Sequence, residues 1–281
     1  MDALKVWTTL LIAVAAATVI TILAVLGTAP AAYGASAGNG ASFAVRCDFS
    51  HRSSDDPIVH PGHPGAGHSH DFFGNRSTNA HSGYKSLLAH GTTCKRPVDK
   101  AGYWMPTVTW GGKTVNSNRA VFYYRAGSKD HKQVKPFPAA LRVITDSHIT
   151  WRCGRTDNRA GASNPPSRCS NRLLGVRIIF PDCSNGKIDG LHHRKHMAYS
   201  RRIGGKVRCP SSHPISVPVL TMNVTFPLPT TRGPARLSSG RPSTMHADFF
   251  NAWNQAALKH LVFRCINTVP PSHPRPAECR A

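Results

Sequence analysis

Short blocks of apolar residues recur along most of this chain, and their spacing predicts strands. Leu220, Met222, Val224 and Phe226 alternate with polar neighbours, the period of a strand with one buried face. Leu173 to Phe180 is a longer run closed by Pro181; Ala120 to Tyr124, Leu141 to Ile144 and Ile149 to Cys153 are shorter β-branched or aromatic ones. Val108 to Trp110 and Lys113 to Val115 flank Gly111-Gly112, and paired glycines supply the positive φ of a tight hairpin turn. Residues 38–70 are rich in Gly, Pro, His and Ser and read as an irregular lead-in. Gly154 to Ser170 and Pro227 to Pro242 read as long loops. One helix is expected, because Phe249, Trp253, Ala257, Leu261 and Cys265 recur every four residues. Asp248 stands where it would cap that helix, and Pro270-Pro271 would end it. The pattern predicts a β-rich fold, all-β or α+β: a single disulfide-bonded, sandwich-like domain with long loops and a C-terminal helix.

The N-terminal residues change the picture of where this domain works. An apolar stretch from Val6 to Leu26 precedes Ala35-Ser36-Ala37, which fits the small-residue pattern accepted by signal peptidase. Cleavage near Ala37 is expected. A retained N-terminal anchor is the alternative, since the stretch is long enough to span a bilayer. Either way residues 38–281 are expected outside the cytoplasm, with membrane contact only through an uncleaved N-terminal segment. All eight cysteines follow this segment and none shows C-x-x-C spacing, so disulfides are expected rather than a zinc knuckle. Pairing between sequence neighbours is the expectation, for example Cys153 with Cys169 and Cys265 with Cys279.

Charge narrows the partners. With 35 basic and 13 acidic residues the formal net charge is +22, a field that favours polyanions. Outside the cell, wall polysaccharide, anionic or neutral, is the expected partner. No dense Lys/Arg run or nucleic-acid motif is present, so a nucleic-acid partner is not expected. Simple solvation of a basic surface is the alternative, and the protein is expected to be a monomer.

The only glutamate, Glu278, sits in the Pro-rich tail, so acid–base chemistry would fall to aspartate and histidine. These cluster in three strings: His68-Ser69-His70-Asp71, Asp189 to His196, and His246-Ala247-Asp248. His68 and His70 would share a face of an extended segment, and His193 and His196 a face of a helical turn. Imidazole with carboxylate suits a divalent transition metal, so His68, His70, His196 and His246 are the candidate ligands. Asp71, Asp189 and His193 are the acid–base candidates. Asp248 and Asn251, with Tyr123 or Tyr124 as cleft-lining aromatics, are the candidates for contacting substrate; Trp104 is expected in the core. Neither H-E-x-x-H nor G-x-S-x-G occurs. The three strings are expected to converge in one cleft, and a buried hydrogen-bonded His–Asp network is the structural alternative.

The order of these strings resembles the DUF1996 family. The resemblance rests on Asp56-Pro57-Ile58-Val59, His68-x-His70-Asp71-Phe72-Phe73-Gly74, Thr92-Thr93-Cys94 and Tyr103-Trp104-x-Pro106. It continues through Phe137-Pro138, Phe180-Pro181-Asp182-Cys183, Asp189 with His193-x-x-His196-x-x-Tyr199, and His246-Ala247-Asp248-Phe249. It runs from about Phe43 to Cys265 and implies an exported protein, in a family whose function is unassigned. Ser184 departs from the pattern, where an aromatic is expected after the Asp-Cys pair. The leading expectation is an extracellular protein that binds or hydrolyses polysaccharide through a His/Asp-rich cleft. The alternative is a non-catalytic wall-binding or metal-binding protein.

Overall fold

The structure is a computed structural model and describes residues 41–156, 161–190, 193–269, 273 and 276–280. The expected leader or anchor over residues 1–37 lies outside them, as does Pro270-Pro271. Ten strands build two five-stranded sheets: β1 (Ser42–Cys47), β2 (Phe49–Ser53), β3 (His70–Gly74), β4 (Gly102–Pro106), β5 (Arg119–Arg125), β6 (Arg142–Thr145), β7 (Ile149–Cys153), β8 (Leu173–Ile179), β9 (Val219–Pro227) and β10 (Ala247–Phe250). The first sheet runs β1-β5-β9-β8-β7 and the second β2-β3-β4-β10-β6. Every neighbouring pair in both is antiparallel. The lead-in expected to be irregular therefore contributes two strands, β1 and β2.

The sheets face each other across an aromatic core. The Tyr103 ring of β4 stacks on Phe122 of β5 at 3.8 Å, and Phe249 of β10 stacks on Tyr103 at 5.2 Å. Within this core Asp99 accepts hydrogen bonds from the Ala101 backbone and the Tyr103 hydroxyl. The Tyr103 and Tyr124 hydroxyls meet at 2.5 Å, and the Trp253 indole donates to Tyr124 at 3.0 Å. Tyr124 is thus a core residue, not part of a cleft. Tyr123, half-buried on the other face of β5, lies under the Arg125 guanidinium.

The second sheet is covered on both faces. Phe72, Trp104, Ile144 and Phe250 turn away from the main core and form a second one with Ile58 and Leu87. This explains why β3 and β10 carry adjacent bulky residues instead of alternating ones: all their residues are buried. β9, expected to be half-buried, is likewise buried on both faces except at Pro227.

The hairpin forms as expected, Val108–Trp110 on Lys113–Thr114, with Gly111 and Gly112 at φ 57° and 80°. The C-terminal helix departs from expectation. It covers Gln255–Val262, capped by the Asn254 side chain, which accepts from the Ala257 amide. Asp248 and Phe249 belong to β10, so Asp248 caps nothing. Four disulfides close between sequence neighbours: Cys47–Cys94, Cys153–Cys169, Cys183–Cys209 and Cys265–Cys279. Among the described residues no helix is long and apolar enough to cross a membrane.

Candidate functional site

The outer face of the second sheet is the floor of the site. Strand alternation sends His70 and Phe72 to this face and Asp71 to the other. There Asp71 accepts from Arg52 Nε at 2.6 Å and Thr107 Oγ1 at 2.9 Å. The acid–base role expected of Asp71 therefore loses its geometric basis: it pairs with an arginine away from the histidines. On β10 the same alternation puts Asp248 on the floor, opposite Trp104 and Ile144.

The chain between β2 and β3 folds over this floor. Asp56 Oδ1 accepts the amides of Ile58 and Val59, both at 2.9 Å, and the turn this fixes lets Ile58 plug the second core. Gly67 donates to the Ser54 carbonyl. A Cβ there would sit 3.0 Å from that oxygen, so a residue without one suits this closure. The extended segment that follows brings the His68 and His70 rings within 4.2 Å. His246, just before β10, completes the trio at 5.0 Å from His68 and 5.7 Å from His70.

The backbone sets which nitrogens face inward. The Asp55 carbonyl lies 3.1 Å from His70 Nδ1 and the Thr244 carbonyl 2.9 Å from His246 Nδ1. A carbonyl can only accept, so both Nδ1 atoms carry the proton and both Nε2 atoms present bare lone pairs. His68 Nε2, His70 Nε2 and both Asp248 carboxylate oxygens are buried without a hydrogen-bond partner. One nitrogen from each of His68, His70 and His246 lies within 4.8 Å of the others. The same holds for one atom each from Asp56, His70 and Asp248. His70 belongs to both groups, and His246 Nε2 is 3.9 Å from Asp248 Oδ2. Burial, then the neighbouring imidazoles of His68 and His246, pushes His70 down to about 3. Burial also lowers His68 and His246, and burial followed by the Asp56 charge raises Asp248 well above the carboxylate range.

The third string forms a separate, partly exposed pair at the border. His193 Nδ1 donates to the Asp189 carboxylate at 3.0 and 3.1 Å, and Arg142 lies 3.5 Å from Asp189. His193 has φ 58°, an unusual conformation for a residue with a side chain. His193 ends a 3-10 turn and residues 194–196 form an irregular turn, so the α-helical spacing expected of His193 and His196 is absent. His196 Nε2 donates to the Arg142 carbonyl at 2.6 Å, and no candidate ligand group among the described residues includes it. Arg194, ion-paired with Asp146, extends its field to His246 and Asp248.

The candidate Asn251 is structural, as is Asp182 of the Phe180-Pro181-Asp182-Cys183 string. The Asn251 amide donates to the Phe137 and Pro138 carbonyls, and its oxygen accepts from the Trp253 amide, so it is fully committed to the fold. Asp182 accepts from buried Lys129 at 2.6 Å and from the Ser200 amide and hydroxyl. The residue that sequence reasoning passed over is Asp56. Its only signal was its place in the first string of the family resemblance, Asp56-Pro57-Ile58-Val59. A cavity of about 450 Å³ lies elsewhere, lined by Lys135, Arg208 and Pro210 among others, and none of the His/Asp cluster borders it.

An antiparallel sandwich closed by four disulfides, with imidazoles and carboxylates gathered on the outer face of one sheet, defines a protein built for an extracellular or otherwise oxidising environment. The chain belongs to the DUF1996 family. The family model, described as a domain of unknown function, matches residues 56–253, a span that begins at Asp56 and takes in every residue of the cluster. No curated protein and no solved structure matches the chain at a significant level.

Proposed function

We propose that this protein is exported and acts on anionic extracellular polysaccharide at the His/Asp face of its second sheet. The observation that carries the reading is the partly exposed Asp189–His193 pair, tied to the β6 edge of this sheet through Arg142. In that pair the carboxylate fixes the ring through Nδ1, which leaves Nε2 to take a proton from an attacking water or return one to a leaving oxygen. The formal charge of +22 supports an anionic polymer over a neutral one. Arg142 and Arg194, each beside an aspartate at this border, add local cationic groups.

The test is retention of the secreted protein on anionic and neutral wall polymers, with reducing ends followed over time. Tight retention on the anionic polymer should weaken steeply as salt rises from 50 to 300 mM, because the screening length shrinks towards about 6 Å. His193→Ala should abolish the release of reducing ends while retention stays. Failure to bind either polymer at low salt would remove the reading. Retention without bond cleavage would leave the second reading, a non-catalytic wall-binding protein, which the full burial of His70 and Asp248 favours.

A further inference from the structure

We infer that Asp56, His68, His70, His246 and Asp248 form a binding site for one divalent transition-metal ion of the zinc class. The inference goes beyond the polysaccharide reading, which stands on charge and on the Asp189–His193 pair.

The first argument is one of unmatched groups. Two Nε2 lone pairs, fixed by carbonyls behind them, face a carboxylate whose two oxygens have no hydrogen-bond donor. His68 Nε2 adds another buried atom without a partner. Lone pairs and carboxylate oxygens gathered in a buried space repel one another, and leaving such atoms uncompensated is costly. A divalent cation satisfies all of them together.

The second argument is geometric. Ligands at about 2.1 Å from one ion lie at most about 4.2 Å apart when opposite each other. The candidate atoms lie within 4.8 Å in each group, and the two groups share His70. Shifts of a few tenths of an ångström complete a coordination shell. The Nδ1–H to carbonyl bonds of His70 and His246 are the outer contacts that orient ligating imidazoles. A third set, Cys47, Cys94 and Asp99, meets the same distance criterion but carries no such reading, because its two sulfurs are bonded to each other.

The donor set decides the class of ion. Three imidazoles with carboxylates favour zinc and its first-row neighbours over calcium or magnesium, which take oxygen ligands. His70, Asp248 and Asp56 are buried, whereas His68 and His246 are only half-buried, so the site opens to solvent on their side.

The experiment uses the full chain, produced in an export-competent host so that its disulfides form, then stripped with EDTA and desalted. Zinc sulfate is titrated by calorimetry, and metal content after a second desalting is read by mass spectrometry. One zinc per chain is expected. His246→Ala and His68→Ala should each weaken binding by about tenfold or more, and His193→Ala, outside the ligand set, should bind as the wild type does. Cobalt in place of zinc should give a visible absorption band that His246→Ala alters. His68 and His246 lie on the half-buried side, so their variants keep the test clear of the buried floor, and near-ultraviolet circular dichroism reports their fold. A folded wild-type protein that retains only a trace of zinc would overturn the inference, as would wild-type affinity in both variants. Loss of zinc with unchanged polymer retention would leave the polysaccharide reading standing, so the two fail separately.

Discussion

Asp99→Asn should stabilise this protein, and by more as pH rises. Asp99 is fully buried and accepts hydrogen bonds from the Ala101 amide and the Tyr103 hydroxyl, which favour its charged form. Burial outweighs them and pushes the carboxyl up to about 7, from an ordinary value of 3.8. At about 1.4 kcal/mol per pH unit, that gap corresponds to about 4 kcal/mol when both states are fully ionised. The sign follows from proton binding. The folded state holds the proton more tightly, so the contribution is fully present below pH 3.8 and is lost as pH rises through about 7. Between pH 5 and pH 8 the loss is about 3 kcal/mol. Asparagine has the same shape, keeps an oxygen for the Ala101 amide and carries no charge. Urea unfolding of both proteins at pH 5, 6.5 and 8, disulfides intact, isolates this residue, since every other group titrates alike in the two. The advantage of the variant should grow by about 3 kcal/mol over that range. A difference that stays constant with pH, or shrinks as pH rises, would refute the assignment of the perturbed carboxyl to Asp99.

Other outcomes follow from the same geometry. Lys129→Met strands the buried Asp182 carboxylate and should cost about 3–5 kcal/mol in denaturant melts. Replacing both Cys183 and Cys209 by alanine opens a 26-residue span and should cost about 3.5 kcal/mol by the chain-entropy relation, read from the urea midpoint. Mass measurement of the alkylated, unreduced protein should show no free thiol. Zinc at about 100 times its dissociation constant should stabilise the wild type by about 2.7 kcal/mol, a rise in Tm that EDTA reverses and His246→Ala lacks.

Much of the fold was legible because local chemistry and tertiary packing agree. The Gly111-Gly112 turn, the runs at 120–124, 149–153 and 173–180, and the sequence-neighbour disulfides follow from local signals. The helix start was misread because Phe249 and Trp253 fall four residues apart by coincidence. Phe249 points into the sheet core, and the helix begins only after the Asn254 cap. In the site, alternation correctly put His68 and His70 side by side, and by the same rule it separates Asp71 from them. Asp56 was invisible as a site residue because the fold-back of the segment between β2 and β3 depends on Ile58 reaching a second core that no single segment discloses. His193 and His196 were paired by α-helical spacing, but His193 takes a left-handed φ and residues 194–196 form an irregular turn.

The position of β10 governs when the site can come into being. This strand lies between β4 and β6, so the edge strand β6 has no partner in the second sheet until residues 247–250 arrive. On a chain delivered N-terminus first, His68 and His70 emerge well over half the chain length before His246 and Asp248. No earlier fragment holds the full set, and contacts this distant in sequence are slow to form. In the exported protein proposed above, the histidines and carboxylates of this face therefore meet only after nearly the whole chain has crossed the membrane.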